Sequence, residues 1–492
     1  MTASAPATPL DNINRQSETH TSTANESIGP SEKSSDVEQI ASDAKVEDIP
    51  PNGGYGWVCV ACVFWINAHT WGLNSSYGVF LAHYLSTNTF PGATRLDFAF
   101  IGGLSISQAL LISPLATAIT RLYGTRTTLL LGVFFETVSL IGASFASRIW
   151  HLFLSQGVCF GWGMGFLFVG SVVIAPQWFT TRRSLANGIS AAGSGLGGLI
   201  YSLAAQAMID RISLGWAFRI LGILACFVNL ICALLVKDRN KQIGSSQSSF
   251  DYRLFRRPEF ILLQVFGFLS MLGYIVLLFS LPNYAESIGM TAKQGSIIGA
   301  MLNLGQALGR GPIGYFSDAM GRINMAATMT FLAGLFSLVI WVFAKSYGVL
   351  IFFALVGGAV AGTFWAVIGP VTSEVIGLID LPSALSITWI VLVLPTTFSE
   401  PIALETVARN GGNYLGAQLF AGLMYFGAAI FMWLVRAWKL GELESKAVVM
   451  HTSPDKLDPV TETPSQGAGN GHYENVLGKT SFLRRLFKPG RV

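Results

Sequence analysis

Charged side chains are scarce in this sequence. Asp, Glu, Lys and Arg make up 12% of its 492 residues, about half the roughly 25% of soluble domains. Hydrophobic residues make up 51%, and mean hydropathy is +0.52. So little charge cannot cover that much apolar surface in water, which leaves lipid as the solvent. Cysteine is also sparse. Cys59, Cys62, Cys159, Cys226 and Cys232 all fall in apolar runs and read as small buried side chains. Cys59 and Cys62 form a CxxC with no second pair, inside a helix headed into lipid, so no metal or redox site is expected. A net charge of +4 gives no reason to expect nucleic acid as a partner. No GxxxxGK[ST] motif is present, so pumping would draw on a gradient. No His cluster, nucleophile triad or ligand spacing suggests an enzyme, and no cofactor is expected.

What the chain has instead is long apolar runs. A bilayer crossing needs about 20 such residues. Twelve runs lie near 57–82, 96–119, 127–147, 150–178, 184–208, 214–236, 259–283, 293–316, 324–344, 347–373, 381–406 and 412–436. Most connections are short, as antiparallel neighbours require, except the polar stretch 237–258. The fold class expected is an all-α membrane protein of twelve transmembrane helices in two six-helix halves. Its predicted parts are a disordered cytosolic tail (1–50), a first half (51–236), a cytosolic linker (237–258), a second half (259–438) and a disordered basic cytosolic tail (439–492). The first 50 residues are rich in Ser, Thr, Asp and Glu and too poor in large apolar residues to form a core. No signal peptide is expected, so the first helix would act as its own insertion signal.

Loop charges orient this layout. With the N-terminal tail inside, the inner loops hold Arg121, Arg126, Arg182, Arg183, Lys237, Arg239, Lys241, Arg253, Arg256, Arg257 and Arg322. The outer loops hold Arg95, Arg148, Arg211, Lys293, Lys345 and Arg409. The bias favours both termini in the cytosol, and the plasma membrane is the expected location. The connections RLYGTR (121–126) and SDAMGR (317–322) echo each other, as two related halves would. GxxxG spacings at Gly161/Gly165, Gly193/Gly197, Gly295/Gly299, Gly305/Gly309 and Gly358/Gly362 predict close helix packing rather than chemistry.

Ionisable residues inside spans point most sharply to function, because a lone charge there costs at least a few kcal/mol. Arg310 lies in NLGQALGRGPIG, and its fork suits a carboxylate. The alternative is a structural ion pair. His69 stands near the midplane of the first helix and reads as a coupling group or as a hydrogen-bonded structural one. Glu400 precedes Pro401, where a freed backbone carbonyl often opens a cavity, and it is a candidate coupling or binding carboxylate. Glu136, in the third helix, is the fourth such residue, a functional candidate or a group that snorkels or pairs locally. The first helix also carries Asn67, Thr70, Trp71, Asn74, Ser75, Ser76 and Tyr77, a face better suited to a cavity than to lipid. Asn303 and Gln306 would extend that lining. The tail TSFLRRLFKPGRV (480–492) sets Phe482, Leu483, Leu486 and Phe487 against Arg484, Arg485 and Lys488. It reads as an amphipathic segment on an anionic leaflet or as a solvated basic tail.

Two stretches carry a family likeness: PNGGYGWV (51–58), and WFTTRRSLANGISAAGSGLGG (178–198). Together they resemble the signature motifs of the monocarboxylate porter family within the major facilitator superfamily, of its fungal branch. Asn52 stands where that family has an acidic residue, and Tyr55 replaces a Trp. The match in the second stretch rests on Phe179, Arg182/Arg183, Leu185-Ala186, Gly188 and Ala192-Gly193. GYFSDAMGR (314–322) resembles the superfamily's gate loop, with Ala319 in place of a basic residue. The resemblance implies gating roles for Asp318 and Arg322. Arg182 and Arg183 read either as a topology and lipid anchor or as a clasp on a neighbouring acid. It also implies that Arg310 meets a substrate carboxylate. The family's animal members carry an aspartate one turn before that arginine and a lysine in the first helix; here these positions are Gln306 and Ser75. Simple lactate–proton symport is therefore in doubt.

The function expected is secondary active transport of a small organic solute, a monocarboxylate or related organic acid, with protons as the coupling partner. The alternative is efflux of a fungal secondary metabolite. The cavity expected comprises Arg310, Gln306, Asn303, His69, Asn67, Trp71, Asn74, Ser75 and Glu400. The gate expected comprises Arg182, Arg183, Asp318 and Arg322.

Overall fold

The computed structural model describes residues 50–245, 248–452, 485, 486, 488 and 490–492. The predicted tail before residue 50 and most of 453–492, Phe482, Leu483, Arg484 and Phe487 included, lie outside the described residues. The described chain folds into twelve helical arms. The first half holds α1 (55–87), α2 (95–123), α3 (Thr125–Ala143), α4 (Ile149–Trp178), α5 (Arg183–Arg211) and α6 (Leu214–Leu235). The second holds α7 (Pro258–Ser287), α8 (Ala292–Met320), α9 (Arg322–Trp341), α10 (Tyr347–Val375), α11 (Leu381–Arg409) and α12 (Leu415–Thr452). Between the halves lie a short helix, Asn240–Ile243, and a 3₁₀ turn, Tyr252–Arg256. The last arm continues beyond residue 438, where the tail is predicted to begin, because KLGELESKAVV has no Pro and its strong helix formers, Lys, Leu, Glu and Ala, outweigh the single Gly441.

Among the described residues nine helices are long and apolar enough to cross a membrane, and α2 makes a tenth if its halves, bent by 40° at Ile112, count as one span. Arms α1 and α8 are not among them. Both are thinned in apolar content by Asn, Gln, Ser and Arg side chains that face inward, as the next section shows. Arm α1 is also interrupted by a π-helical segment, Ala68–Gly72, and by a tightened turn in which Ser76 N–H donates to the Leu73 carbonyl. Such π segments are frequent at functional sites.

Small residues let the arms touch backbone to backbone. A methyl at Gly193 or Gly197 would strike α1 at Phe64 or Ala68, and one at Gly161 or Gly165 would strike α2. Gly305 and Gly309 of α8 lie on the Leu355 and Ala359 carbonyls of α10, and Gly358 returns the contact at Leu302. Gly295 and Gly299 lie on Pro282 of α7. The halves meet the same way. Gly188 and Gly195 of α5 lie on the α8 backbone, and Gly314 of α8 lies on Ser184 of α5. Gly362, the last of the predicted packing glycines, has a different neighbour: a Cβ there would sit 3.0 Å from Arg310 Nε.

Candidate functional site

Between the halves lies a cavity whose empty space, the open solvent at its mouth included, is about 750 Å³. Seven of the nine expected residues line it: Asn67, Trp71, Asn74, Ser75, Asn303, Gln306 and Arg310. On α1 these fall at i, i+4, i+7 and i+8, one helical face. Asn67 Nδ2 donates to the Val63 carbonyl at 3.0 Å and across to the Ser190 carbonyl of α5 at 3.1 Å. Ser105 of α2 donates to Asn74 Oδ1 at 2.8 Å.

Arg310 is 2% exposed. Its Nη1 donates to the Ala191 carbonyl at 2.6 Å and to Ser194 Oγ, both on α5, and its Nη2 donates to Gln306 Oε1 at 2.7 Å. Its Nε has no partner. No Asp or Glu lines the cavity among the described residues. Gln306 is held from both sides, because Tyr274 Oη also donates to its Oε1, at 2.9 Å. With both lone pairs of that oxygen engaged, the amide cannot flip, and its Nε2 is left without an acceptor. Trp71 Nε1 is likewise buried without one. The three unsatisfied polar atoms of the cavity wall are therefore all donors, and one belongs to a cation. Removing a charge from water without an opposite partner is costly, so this is a wall built to receive acceptors.

The cavity also has an aromatic side. Trp365 of α10 lies 4.8 Å from Trp71, centroid to centroid, and Phe168 of α4 lies 5.3 Å from Trp71 and 5.9 Å from Trp365. Tyr274 approaches Trp365 at 6.4 Å. Trp365, Tyr274, Phe168, Asn187 and Ser194 were not among the expected site residues. Aromatic residues within apolar runs look like ordinary core, and nothing in their spacing separates them from it.

His69 and Glu400 do not line the cavity. His69 Nδ1 pairs with the Trp65 carbonyl at 2.8 Å, and its ring packs edge-on to Tyr201 of α5 at 5.5 Å. At about 100° per residue it stands roughly 200° around α1 from Asn67, on the opposite face. Glu400 lies against α7, where Ser280 Oγ sits 2.9 and 3.0 Å from its two carboxylate oxygens.

At one end of the cavity's walls the turns α4–α5 and α8–α9 are joined. Asp318 accepts from the backbone N–H groups of Ser184 (3.0 Å) and Leu185 (2.9 Å), the first turn of α5, where a helix favours negative charge. Arg322 reaches Asp318 at 3.3 Å, Glu374 at 3.6 Å and, through Nη2, the Thr180 carbonyl at 2.7 Å. Arg183 crosses to Ser373 Oγ at 3.1 Å. The expected pair Arg182/Arg183 therefore divides: Arg183 is buried in this junction, whereas Arg182 is exposed ahead of the helix. Asn52 ties the two signature stretches together. Its Oδ1 accepts from the backbone N–H groups of Thr180 (2.7 Å) and Thr181 (3.1 Å), and the Trp57 ring lies tilted against Phe179, 4.8 Å between centroids.

A closed bundle of apolar arms in two halves, a polar cavity between them and a charged junction at one end together define a membrane carrier. The family model of the Major Facilitator Superfamily matches residues 59–282. The chain is 34% identical over 395 residues to the probable transporter MCH2 of Saccharomyces cerevisiae, covering 79% of this chain and 84% of that one. It is 25% identical to monocarboxylate transporter 10 of Mus musculus, over 87% of this chain and 88% of the mouse protein. The major facilitator transporter FucP in its outward conformation superposes with a TM-score of 0.62 at 15% identity, over 78% of this chain and 99% of FucP. This chain belongs to the major facilitator superfamily, in its monocarboxylate-transporter-like family.

Proposed function

We propose that this chain is a secondary carrier for a small organic monoanion, a monocarboxylate or related organic acid, moved together with protons. The observation that carries the reading is Arg310, a buried guanidinium with no acid in the cavity lining, whose unpaired Nε shares that lining with two further unpaired donors, Gln306 Nε2 and Trp71 Nε1. A carboxylate supplies both the missing charge and the missing acceptors. The aromatic side formed by Trp71, Phe168 and Trp365 favours a solute with a flat or apolar body. The lack of Asp and Glu in the lining disfavours an ammonium group, and so disfavours amino acids.

Asp318, Arg322 and Arg183, with Glu374 and Ser373, serve in this reading as the gate that keeps one mouth shut while the halves rock. Gln306 and Ser75 do not titrate at ordinary pH, so coupling falls to Glu400 or His69, outside the solute's contact surface. The loop charges favour both ends in the cytosol, with the protein in the plasma membrane. Import and export use one cavity, and the gradients set the direction.

The test is counterflow in proteoliposomes with labelled lactate, pyruvate, benzoate and phenylacetate, with phenylalanine as the zwitterion. Benzoate or phenylacetate is expected to exchange and phenylalanine is not. Exchange of phenylalanine alone would overturn the anion reading. Uptake that ignores an uncoupler would remove the proton.

A further inference from the structure

Behind the cavity, inside the first half, lies a carboxyl group that neither the solute nor the gate uses. Glu136 of α3 is 1% exposed. Its Oε2 accepts from Asn229 Nδ2 of α6 at 2.7 Å. Its other oxygen, Oε1, has no donor, and neither does Asn229 Oδ1. Two acceptors on one bonded pair of groups are thus left bare in a dry place. One proton on the carboxyl removes the uncompensated charge and gives this acceptor-rich pair the O–H donor it lacks. Gly163 of α4 lets the two arms pack so closely that a Cβ there would stand 2.7 Å from Glu136 Cα.

Among the described residues no ion pair holds Glu136. Among the described residues α4 brings toward α3 the Cys159 thiol, which donates to the Phe135 carbonyl, and, at its start, His151, which pairs with Ser147. Arg219 of α6 lies ten residues from Asn229 and binds Ser144 Oγ at 3.1 Å. Arg121 and Tyr123 of α2 are exposed at that arm's far end. Tyr201 of α5 is a titratable group within electrostatic reach of Glu136, and its ring packs edge-on to the His69 ring.

We propose that Glu136, paired with Asn229, is a proton-binding site of the first half, distinct from the solute cavity and from Glu400, and reached from the His69–Tyr201 side. It rests on the reading of the chain as a proton-coupled carrier, but its test needs no solute. Infrared difference spectra of the full chain in lipid, recorded from about pH 5 to about pH 9, are expected to show a protonated-carboxyl band. That band should fade as pH rises, survive Glu400→Gln and vanish in Glu136→Gln. Asn229→Leu keeps the acid and removes the amide, so it should shift the band even if the Glu136 variant fails to fold. A band unaltered by Glu136→Gln, unmoved by Asn229→Leu, or constant across the pH range would overturn the site. The anion reading is judged separately by benzoate counterflow, so the two can fail independently.

Discussion

Arg310 and Arg322 stand one at the middle of α8 and one just past its end, and the structure treats them oppositely. Arg322 meets two acids, Asp318 and Glu374, and a backbone carbonyl. Arg310 meets two carbonyl oxygens and a hydroxyl but no acid. An arginine whose charge is answered within the protein holds parts together. One whose charge is unanswered is poised for something from outside. The contrast separates the latch from the site more sharply than the fact that both are arginines near the same helix.

The variant with the largest effect is the one that removes the unanswered charge. Arg310→Ala is expected to abolish counterflow of benzoate, by at least about two orders of magnitude, since a buried charge-assisted pair is worth roughly 3–5 kcal/mol. The chain should still insert and fold, as size-exclusion and circular dichroism would show. Next, Gln306→Asp would make Arg310 resemble Arg322 by giving it an acid one turn away. Anion affinity should fall about tenfold or more, and exchange should become newly dependent on pH; unchanged affinity would show that the missing acid is immaterial. Third, Asp318→Asn removes the charge that caps α5. Hydrogen bonds to a charged group are worth about 1.5–3 kcal/mol, so the balance between states should move toward the opened junction, read as faster labelling of a cysteine placed at Thr181. Smallest of all is Glu374→Gln. At 3.6 Å and 26% exposed, that contact is worth about 1 kcal/mol or less, and labelling should change less than threefold.

The twelve arms were legible because apolar runs of about 20 residues have few other uses. The polar faces of α1 and α8 were legible for the converse reason: Asn67, Asn74, Asn303 and Arg310 are expensive in lipid and stand out against it. Depth was easier to read than direction. His69 and Asn67 lie within two residues of each other along α1, yet they face opposite ways, a difference the helical period already contains. Glu400 has the right chemistry, and only the packing of α11 on α7 shows that it meets Ser280 instead of the cavity. Arg182 and Arg183 are equivalent as letters; the start of α5 between them sends one inward and leaves the other exposed. Trp365 and Tyr274 could not have been picked out, since a cavity aromatic and a core aromatic obey the same hydropathy. The role of Asn52 was equally hidden, because its partners, Thr180 and Thr181, lie 128 and 129 residues away.

Where α5 crosses α8, the surfaces that meet are Gly188, Gly195 and Gly314 against bare main chain. Interlocked side chains behave like gear teeth and hold one register until they are prised apart. Two smooth main-chain surfaces behave like a bearing, along which a rigid body can roll with little change in its own shape. In the rocking proposed above, what must be released at this crossing is the hydrogen bonding of Arg310 and Asp318 to α5, while the glycine contacts themselves can slide, and a single added methyl would act there as grit.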